Sequence, residues 1–185
     1  GHTVGWHPGY GAHADAGRLD AERARFEAAL GAAPRVARTH FLRWADPVTT
    51  RLLAARGVRV DSTLGFSEQA GFRRGTAHPF RIYDPESGRA TDLWEMPLAV
   101  MDTTLARHQG LRDADVARVL HEVAVAARRA GGVAVALWHN DLGEGRPWSR
   151  RLSVLEQWVM RARAAGAALG PLDRLLADWR GSAAP

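Results

Sequence analysis

Short apolar runs of strand length recur along the chain, and most of them end at a polar or ionisable side chain. Runs of this kind, bounded by glycine, proline or charged residues, are typical of buried strands. The pattern predicts five strands, over residues 3–6, 35–38, 58–60, 93–100 and 133–138. Pro97 falls inside the fourth run and indicates an edge or irregular position there, because proline cannot donate a hydrogen bond to a neighbouring strand.

Between these runs, apolar positions recur at the spacing of a helix. The clearest helix covers 112–130, where Val116, Leu120 and Val123 share one face. Further helices are predicted over 19–30, 47–56, 149–165 and 171–179. Strands that alternate with helices predict an α/β fold with a parallel sheet, either an open doubly wound sheet or part of a barrel. The segment 62–90 is longer than an ordinary loop, so it is either functional or contains a hairpin.

The composition is that of one globular domain. Of the 185 residues, 46% are hydrophobic and 24% are charged, which excludes a disordered chain and a collagen-like repeat. We assign residues 1–180 to a single domain and 181–185 to a frayed tail. The chain has no cysteine, which excludes disulfide bonds, thiolate metal sites and a catalytic thiol. No apolar run approaches the roughly 20 residues of a membrane-spanning helix, so we expect no transmembrane segment.

The net charge is basic, but its distribution does not favour a nucleic-acid partner. The formal charge is +5, and all 25 basic residues are arginine. Nucleic-acid-binding surfaces cluster their basic residues on one face or arm, whereas these arginines are scattered and often lie beside acidic residues on predicted helices. We interpret them as a solvated basic surface and expect no nucleic-acid partner.

Candidate chemistry lies where the predicted strands end. The five strands end at or near His7, Arg38, Asp61, Asp102 and His139. In parallel α/β folds the carboxyl ends of the strands share one face, and ligands bind on the loops that follow. Two imidazoles, a guanidinium and carboxylates on one rim are suited to a metal site or to acid–base chemistry.

The positions of the histidines in the sequence support a catalytic or metal-binding role to different degrees. His139 follows a continuous apolar strand, where an imidazole that titrates near neutral pH suits general acid or base work; the alternative is a histidine that only hydrogen-bonds a neighbouring loop. His7 and His13 are candidate metal ligands. Their spacing is not that of a helical pair, and the alternative is two solvent-facing loop residues.

Several other side chains are candidates for binding a substrate. The segment 38–44 is dense in hydrogen-bond donors that could orient a carboxylate or a substrate oxygen, and the flat indole of Trp138 could stack on a sugar ring. We take the substrate-binding candidates to be His40, Arg43, Arg73, Trp138 and Asn140. The alternatives are surface arginines with apolar packing by Phe41 and Leu42, a solvated turn around Arg73, and a tryptophan that only packs in the core.

The order of several short motifs resembles a known enzyme family. Residues 1–8, GHTVGWHP, are similar to the GHEIG-x-H segment of polysaccharide deacetylases with the NodB homology domain. Residues 38–44, RTHFLRW, resemble the R-x-H-x-L-R-F variant of that family's arginine motif, and residues 137–140, LWHN, resemble its late Leu-x-His motif. The segments 60–65, 71–76, 95–98 and 100–105 resemble one bacterial branch, so the likeness extends from Gly1 to about Trp179.

The resemblance implies a distorted (β/α) barrel that hydrolyses N- or O-acetyl groups of a carbohydrate with a divalent metal, usually zinc. In that family one Asp and two His hold the metal, a second Asp is the general base, and the late His is the general acid. Carried over, His7 is a metal ligand and His139 the general acid. Arg38 would orient the base carboxylate, and Asp61 would hold His139 in its working orientation.

Two departures from the family pattern affect these expectations. The family's second metal histidine falls at Gly11 here, and His13 lies two residues later. The family's paired aspartates precede the first histidine on an upstream strand that this sequence does not contain. We therefore expect a fragment whose barrel is incomplete at its N-terminus and which is inactive alone. The alternative is a non-catalytic relative that binds sugar or a partner through a degenerate metal site.

Overall fold

Strands and helices alternate along the chain, which confirms the predicted α/β class. The computed structural model describes residues 2–139 and 152–182. Its strands are β1 (Val36–Ala37), β2 (Val60–Asp61), β3 (Phe80–Asp84), β4 (Arg89–Glu95), β5 (Leu98–Met101) and β6 (Val135–Leu137). Its helices are α1 (Ala16–Leu30), α2 (Val48–Ala55), α3 (Asp113–Ala130), α4 (Leu152–Ala164) and α5 (Leu172–Ser182).

The helix ends follow the local chemistry of the sequence. The carboxylate of Asp15 accepts a hydrogen bond from the backbone N–H of Arg18 and so caps the start of α1. Gly31 and Gly131 end α1 and α3 in the left-handed conformation that glycine adopts without strain. Helix α5 reaches Ser182, two residues into the segment that the sequence assigns to the tail.

The larger sheet has four strands in the order β1-β2-β4-β3. Strands β1, β2 and β4 are parallel, with Val36 opposite Val60 and Val60 opposite Trp94. Strand β3 is antiparallel to β4. The long segment 62–90 therefore contains β3 and the start of β4, which together form a hairpin. This agrees with the prediction that the segment contains a hairpin.

The smaller sheet consists of β5 and β6 in parallel, with Met101 opposite Leu137. The predicted strand 93–100 is wrong as a single element, because β4 ends at Glu95 and β5 begins at Leu98 in the other sheet. Pro97 lies between them, where its missing N–H interrupts no ladder. The ladders of the described residues form these two sheets, and no closed barrel is seen among them.

The chain divides into two compact units. The first comprises Gly1–Leu64, Pro79–Met96 and Gly170–Pro185, and the second comprises Gly65–His78 and Pro97–Leu169. Each has its own apolar core. Trp6, Leu19, Leu53 and Leu93 belong to the core of the first unit, and the core of the second is formed by Val100, Leu105, Val116, Leu120 and Val154.

Candidate functional site

In the first unit, the segment around Trp6 pairs with β1 in a parallel bridge. This pairing places His7 beside His40, which follows β1. The predicted strand 3–6 is reduced to a bridge in which Trp6 pairs with Ala37. Beyond this bridge the backbone N–H of Arg38 donates to Trp6 O at 3.0 Å, and the N–H of His40 donates to Pro8 O at 3.0 Å. His7 is thereby fixed beside the residues that follow β1.

The rings of His7 and His40 are in contact at this strand end. Their centroids are 5.0 Å apart and their planes are perpendicular. Nδ1 of His7 lies 2.6 Å from the carbonyl oxygen of Arg38, to which it donates as Nδ1–H. This tautomer places the lone pair of His7 on Nε2, the pattern found in metal-binding histidines whose other nitrogen is held by a carbonyl.

The turn that carries His40 has a strained backbone. Phe41 has φ 56° and Leu42 has φ 53°, values that bulky side chains rarely adopt. Thr39 and Leu42 are buried and anchor the turn, whereas the Phe41 side chain is 71% exposed. The interpretation of Phe41 as packing is therefore wrong, and the turn presents its aromatic ring to solvent.

Exposed aromatic rings and an arginine surround the two histidines. Tyr10 and Phe41 meet edge to face at 5.5 Å, and Phe41 also meets His40 at 4.7 Å. The guanidinium of Arg43 lies 4.2 Å from the centre of the Tyr10 ring and donates from Nη1 to Tyr10 O at 3.1 Å. Of the predicted substrate-binding residues, His40 and Arg43 thus lie beside His7. Tyr10 was not predicted to take part, although it follows His7 closely in the sequence.

A buried polar cluster lies behind the ends of β1, β2 and β4. Arg38 donates from Nε to Ser62 O and from Nη2 to Ser62 Oγ, both at 2.8 Å. Asp61 and Glu95 are fully buried. One oxygen of Asp61 accepts from the N–H of Thr63 at 2.8 Å, and one oxygen of Glu95 accepts from the N–H of Leu64 at 2.9 Å.

The second oxygens of Asp61 and Glu95 are buried and have no donor among the described residues. The two side chains interact with each other, and one proton held by the pair would let one carboxyl group donate to the other. Burial raises the pKa of Asp61 to about 6, although hydrogen bonds from Thr63 and Glu95 and the charge of Arg38 lower it. Burial, together with the charge of Asp61 and a hydrogen bond to it, raises the pKa of Glu95 well above its usual range. With one shared proton and the Arg38 cation, the cluster is electrically neutral.

The second unit contains a histidine–carboxylate pair at the ends of β5 and β6. Nδ1 of His139 lies 2.6 Å from Oδ1 of Asp102, and the backbone N–H of His139 donates to Oδ2 at 2.9 Å. Thr103 N–H donates to Oδ1 as well, at 2.6 Å. Asp102 is 1% exposed and the His139 side chain 47% exposed, so a buried carboxylate orients an accessible imidazole.

This pair corrects the role expected for Asp61. The carboxylate that holds His139 is Asp102, while Asp61 binds the Thr63 N–H and shares its burial with Glu95. The signal was present in the sequence, because Asp102 directly follows an apolar strand, and β5 pairs with the strand that precedes His139. Only the pairing of β5 with β6 selects between the two aspartates.

His13 occupies a different environment from His7. It lies in a short 3-10 turn, and its carbonyl accepts from the Thr49 hydroxyl at 2.7 Å. Its Nδ1 is sealed from solvent without a hydrogen-bond partner in the described part of the chain. At Gly11, an added Cβ would lie 2.2 Å from Nη1 of Arg18. The guanidinium of Arg18, the end of an exposed and flexible side chain, therefore lies where a side chain at position 11 would begin.

The other predicted substrate-binding residues lie in the second unit or outside the described chain. Arg73 approaches Gly65 O at 3.4 Å through Nη1, longer than a strong hydrogen bond. Trp138 is partly buried and packs against the core of the second unit, which fits the packing interpretation; its contact with a sugar stays a prediction. Asn140 lies outside the described residues.

The donors in the first unit fit part of a zinc site. Neutral imidazoles are good zinc ligands, and His7 has the tautomer that this role needs. Over residues 2–139 and 152–182, however, no group of three His, Cys, Asp or Glu side chains could hold a metal ion. The described residues therefore supply two neighbouring imidazoles and not a complete ligand set.

Comparisons with known proteins support the fold. No family model matches the chain, and no curated protein matches it. A solved structure from Mycobacterium smegmatis, described as a "putative polysaccharide deacetylase", matches with a TM-score of 0.71 at 21% sequence identity. The match covers 98% of this chain and 64% of that one. The chain is thus similar in fold to about two thirds of that protein. No helix in the described part of the chain is long and apolar enough to cross a membrane.

Proposed function

We propose that this chain is part of a metal-dependent carbohydrate deacetylase that hydrolyses N- or O-acetyl groups. The observation that carries the proposal is the pair of Asp102 and His139, because a buried carboxylate that orients an accessible imidazole is an arrangement suited to proton transfer. The likeness in fold to the mycobacterial protein supports the same class of enzyme.

His139 would act as the general acid. Its Nδ1 is held by Asp102 at 2.6 Å, so proton transfer falls to Nε2 on the opposite side of the ring. In the hydrolysis, water oxygen bonds to the acetyl carbon and the bond to the sugar nitrogen or oxygen breaks. The proton of the attacking water would pass to a general base, the proton from Nε2 of His139 would go to the leaving atom, and acetate would be released.

His7 would be one ligand of the metal, with its ring held by the Arg38 carbonyl. When bound, a divalent ion such as zinc supplies a polarised acetyl carbonyl and a water of lowered pKa. The guanidinium group of Arg38 would be held in position by its two hydrogen bonds to Ser62. Its expected contact with the carboxylate of a general base stays a prediction.

The exposed aromatic side chains beside His7 support a carbohydrate substrate. Tyr10 and Phe41 offer flat apolar faces, and Arg43 offers a donor at the same surface. Aromatic faces and planar donors of this kind bind the apolar faces and hydroxyl groups of pyranose rings. The described residues do not distinguish an N-acetyl from an O-acetyl substrate.

Activity is expected only with a general base that the described residues do not supply near His7. No third carboxylate or histidine joins a metal group in residues 2–139 and 152–182, and the neighbouring Asp61 and Glu95 are buried. Acetate release would therefore need a general base from outside residues 2–139 and 152–182.

The test measures acetate release from acetylated chito-oligosaccharides and acetylated xylan with added Zn²⁺. The enzyme is the longest polypeptide that the gene encodes around these residues, compared with its His139→Ala variant and with His121→Ala as a matched control on the exposed side of α3. We expect acetate release that is lost in His139→Ala and retained in His121→Ala. Equal rates in all three proteins would refute the role of His139.

The second candidate is a non-catalytic relative that binds sugar through the same surface. Gly11 favours it, because the family's second metal histidine is missing there. Oligosaccharide binding without acetate release by the metal-loaded polypeptide would select this alternative.

A further inference from the structure

We propose that His40 is the second imidazole ligand of the metal ion that His7 binds, in place of the residue at position 11. The inference rests on the proposed function, for which it names the metal-binding residues. It assigns the histidine of the arginine motif to the metal site, whereas the sequence pattern places it among the substrate-binding residues.

The distance between the two rings fits a shared ion. Two imidazoles on one tetrahedral zinc ion, each with a Zn–N bond of about 2.1 Å, have ring centres roughly 5 Å apart. The centroids of His7 and His40 are 5.0 Å apart with perpendicular planes. The separation of the ring centres is therefore the one that a shared ion requires.

The backbone on both sides of the pair is held in place. The His40 N–H donates to Pro8 O, next to His7, and the Arg38 N–H donates to Trp6 O on its other side. Nδ1 of His7 donates to the carbonyl of Arg38, two residues before His40. These bonds tie the two imidazoles into one local frame, so a bound ion would not have to order either segment.

The strained turn also indicates that the position of His40 has a function. The φ of 56° at Phe41 is strained for a bulky residue, and a ring that is 71% exposed gains little from burial. The conformation is held by buried Thr39 and Leu42. In this turn the ring of His40 contacts both Phe41 and His7.

The two competing positions fit less well. A side chain at position 11 would meet the guanidinium of Arg18. The Nδ1 of His13 is sealed from solvent, which leaves this residue one accessible ring nitrogen at most, and the ring contact of His7 is with His40. His40 is the histidine that contacts His7 in the described part of the chain.

The experiment follows zinc binding to the 185-residue protein by two-dimensional NMR of the imidazole nitrogens. A nitrogen that coordinates zinc changes its ¹⁵N shift, so the spectrum identifies the ligands even where binding is weak. We expect saturable shifts at one nitrogen each of His7 and His40, with His13 and the exposed His121 unchanged. His40→Ala should weaken zinc binding at least tenfold, and His13→Ala should not.

Each outcome decides the inference. Shifts at His7 and His13 with His40 unaffected would overturn it, as would unchanged affinity in a His40→Ala protein whose thermal unfolding matches the wild type. His40→Gln, which keeps a polar side chain of similar size, serves if the alanine variant unfolds. Absence of zinc binding at any histidine would also overturn it. Acetate release by the longer polypeptide is a separate readout, so a deacetylase whose metal is held by other residues remains distinguishable from a protein that is no deacetylase.

Discussion

The buried pair of Asp61 and Glu95 should make the protein less stable as the pH rises, and Asp61→Asn should remove that effect. Asparagine keeps the oxygen that accepts from the Thr63 N–H and offers an N–H₂ to the second oxygen of Glu95. The variant therefore replaces the orphaned oxygen of Asp61 by a donor and offers a partner to that of Glu95 without a shared proton. With Glu95 ionised and Arg38 protonated, its cluster is also neutral.

The magnitude follows from the pKa of Asp61. Burial raises this pKa from 3.8 to about 6, so between these values the folded protein binds more protons than the unfolded chain. Stability therefore falls as the pH rises through this window, by up to about 3 kcal/mol for this one carboxyl group. The raised pKa of Glu95 acts in the same direction. For a protein of this size, 3 kcal/mol corresponds to roughly 6–12 °C in the melting temperature.

The assay is thermal unfolding of the wild type and Asp61→Asn at several pH values between 4 and 8. We expect the variant to gain stability relative to the wild type as the pH rises, with the largest difference above pH 7. A difference that stays constant across this range would show that the pair does not bind an extra proton in the folded state.

Asp84 provides a control, because its effect on stability should change with pH in the opposite direction to that of Asp61. Its carboxylate accepts three hydrogen bonds from Arg51, at 3.0 Å from Nε and at 2.8 and 2.9 Å from Nη2. Although desolvation raises the pKa of Asp84, hydrogen bonds from Arg51, Glu86 and Ser87 lower it overall. A lowered pKa contributes stability above the unfolded value, which is lost as the pH falls through the folded one. Asp84→Asn should therefore be most destabilising at neutral pH and progressively less so in acid, the reverse of Asp61→Asn.

Three further substitutions test other parts of the structure. Asp102→Asn should lower kcat for acetate release by about 10²- to 10⁴-fold, because an amide cannot hold the same tautomer of His139; a steady-state assay at saturating substrate measures this. Phe41→Gly should raise the free energy of unfolding by up to about 1 kcal/mol by removing backbone strain while weakening oligosaccharide binding, which urea titration and calorimetry would reveal. Gly132→Ala places a Cβ 2.5 Å from Ala77 O and should destabilise the protein by about 1–3 kcal/mol, seen as a lower melting temperature.

The sequence predicts helices such as α1 and α3 well, because glycine ends both of them and α3 also carries a continuous apolar face. Helix α3 lies over Asp113–Ala130 against a predicted 112–130, and α1 ends at Leu30 as expected. The strands are harder to predict because they are as short as two residues and owe their existence to partners distant in the sequence. The apolar run 93–100 contains no signal, apart from Pro97, that its two halves join different sheets.

In the candidate site, too, local features can be predicted from the sequence and long-range contacts cannot. Residue types and strand ends select His7, Arg38 and His139, since those features are local. They do not select Asp102 over Asp61 as the partner of His139, because both follow an apolar strand. That choice depends on β5 pairing with β6, a long-range contact that no local pattern encodes.

The proposed second metal ligand, His40, is the clearest example of this limit. A motif search looks for a histidine at a fixed spacing from His7, and at that spacing it finds Gly11. The parallel bridge between Trp6 and β1 instead brings His40, which is far from His7 in the sequence, close to it in space. The centres of the two imidazole rings are 5.0 Å apart. Metal chemistry requires donors that are close in space, and either a short spacing within one loop or a strand pairing between two loops can meet that requirement. A missing motif residue therefore argues against a metal site only after the neighbouring strands have been searched for a replacement.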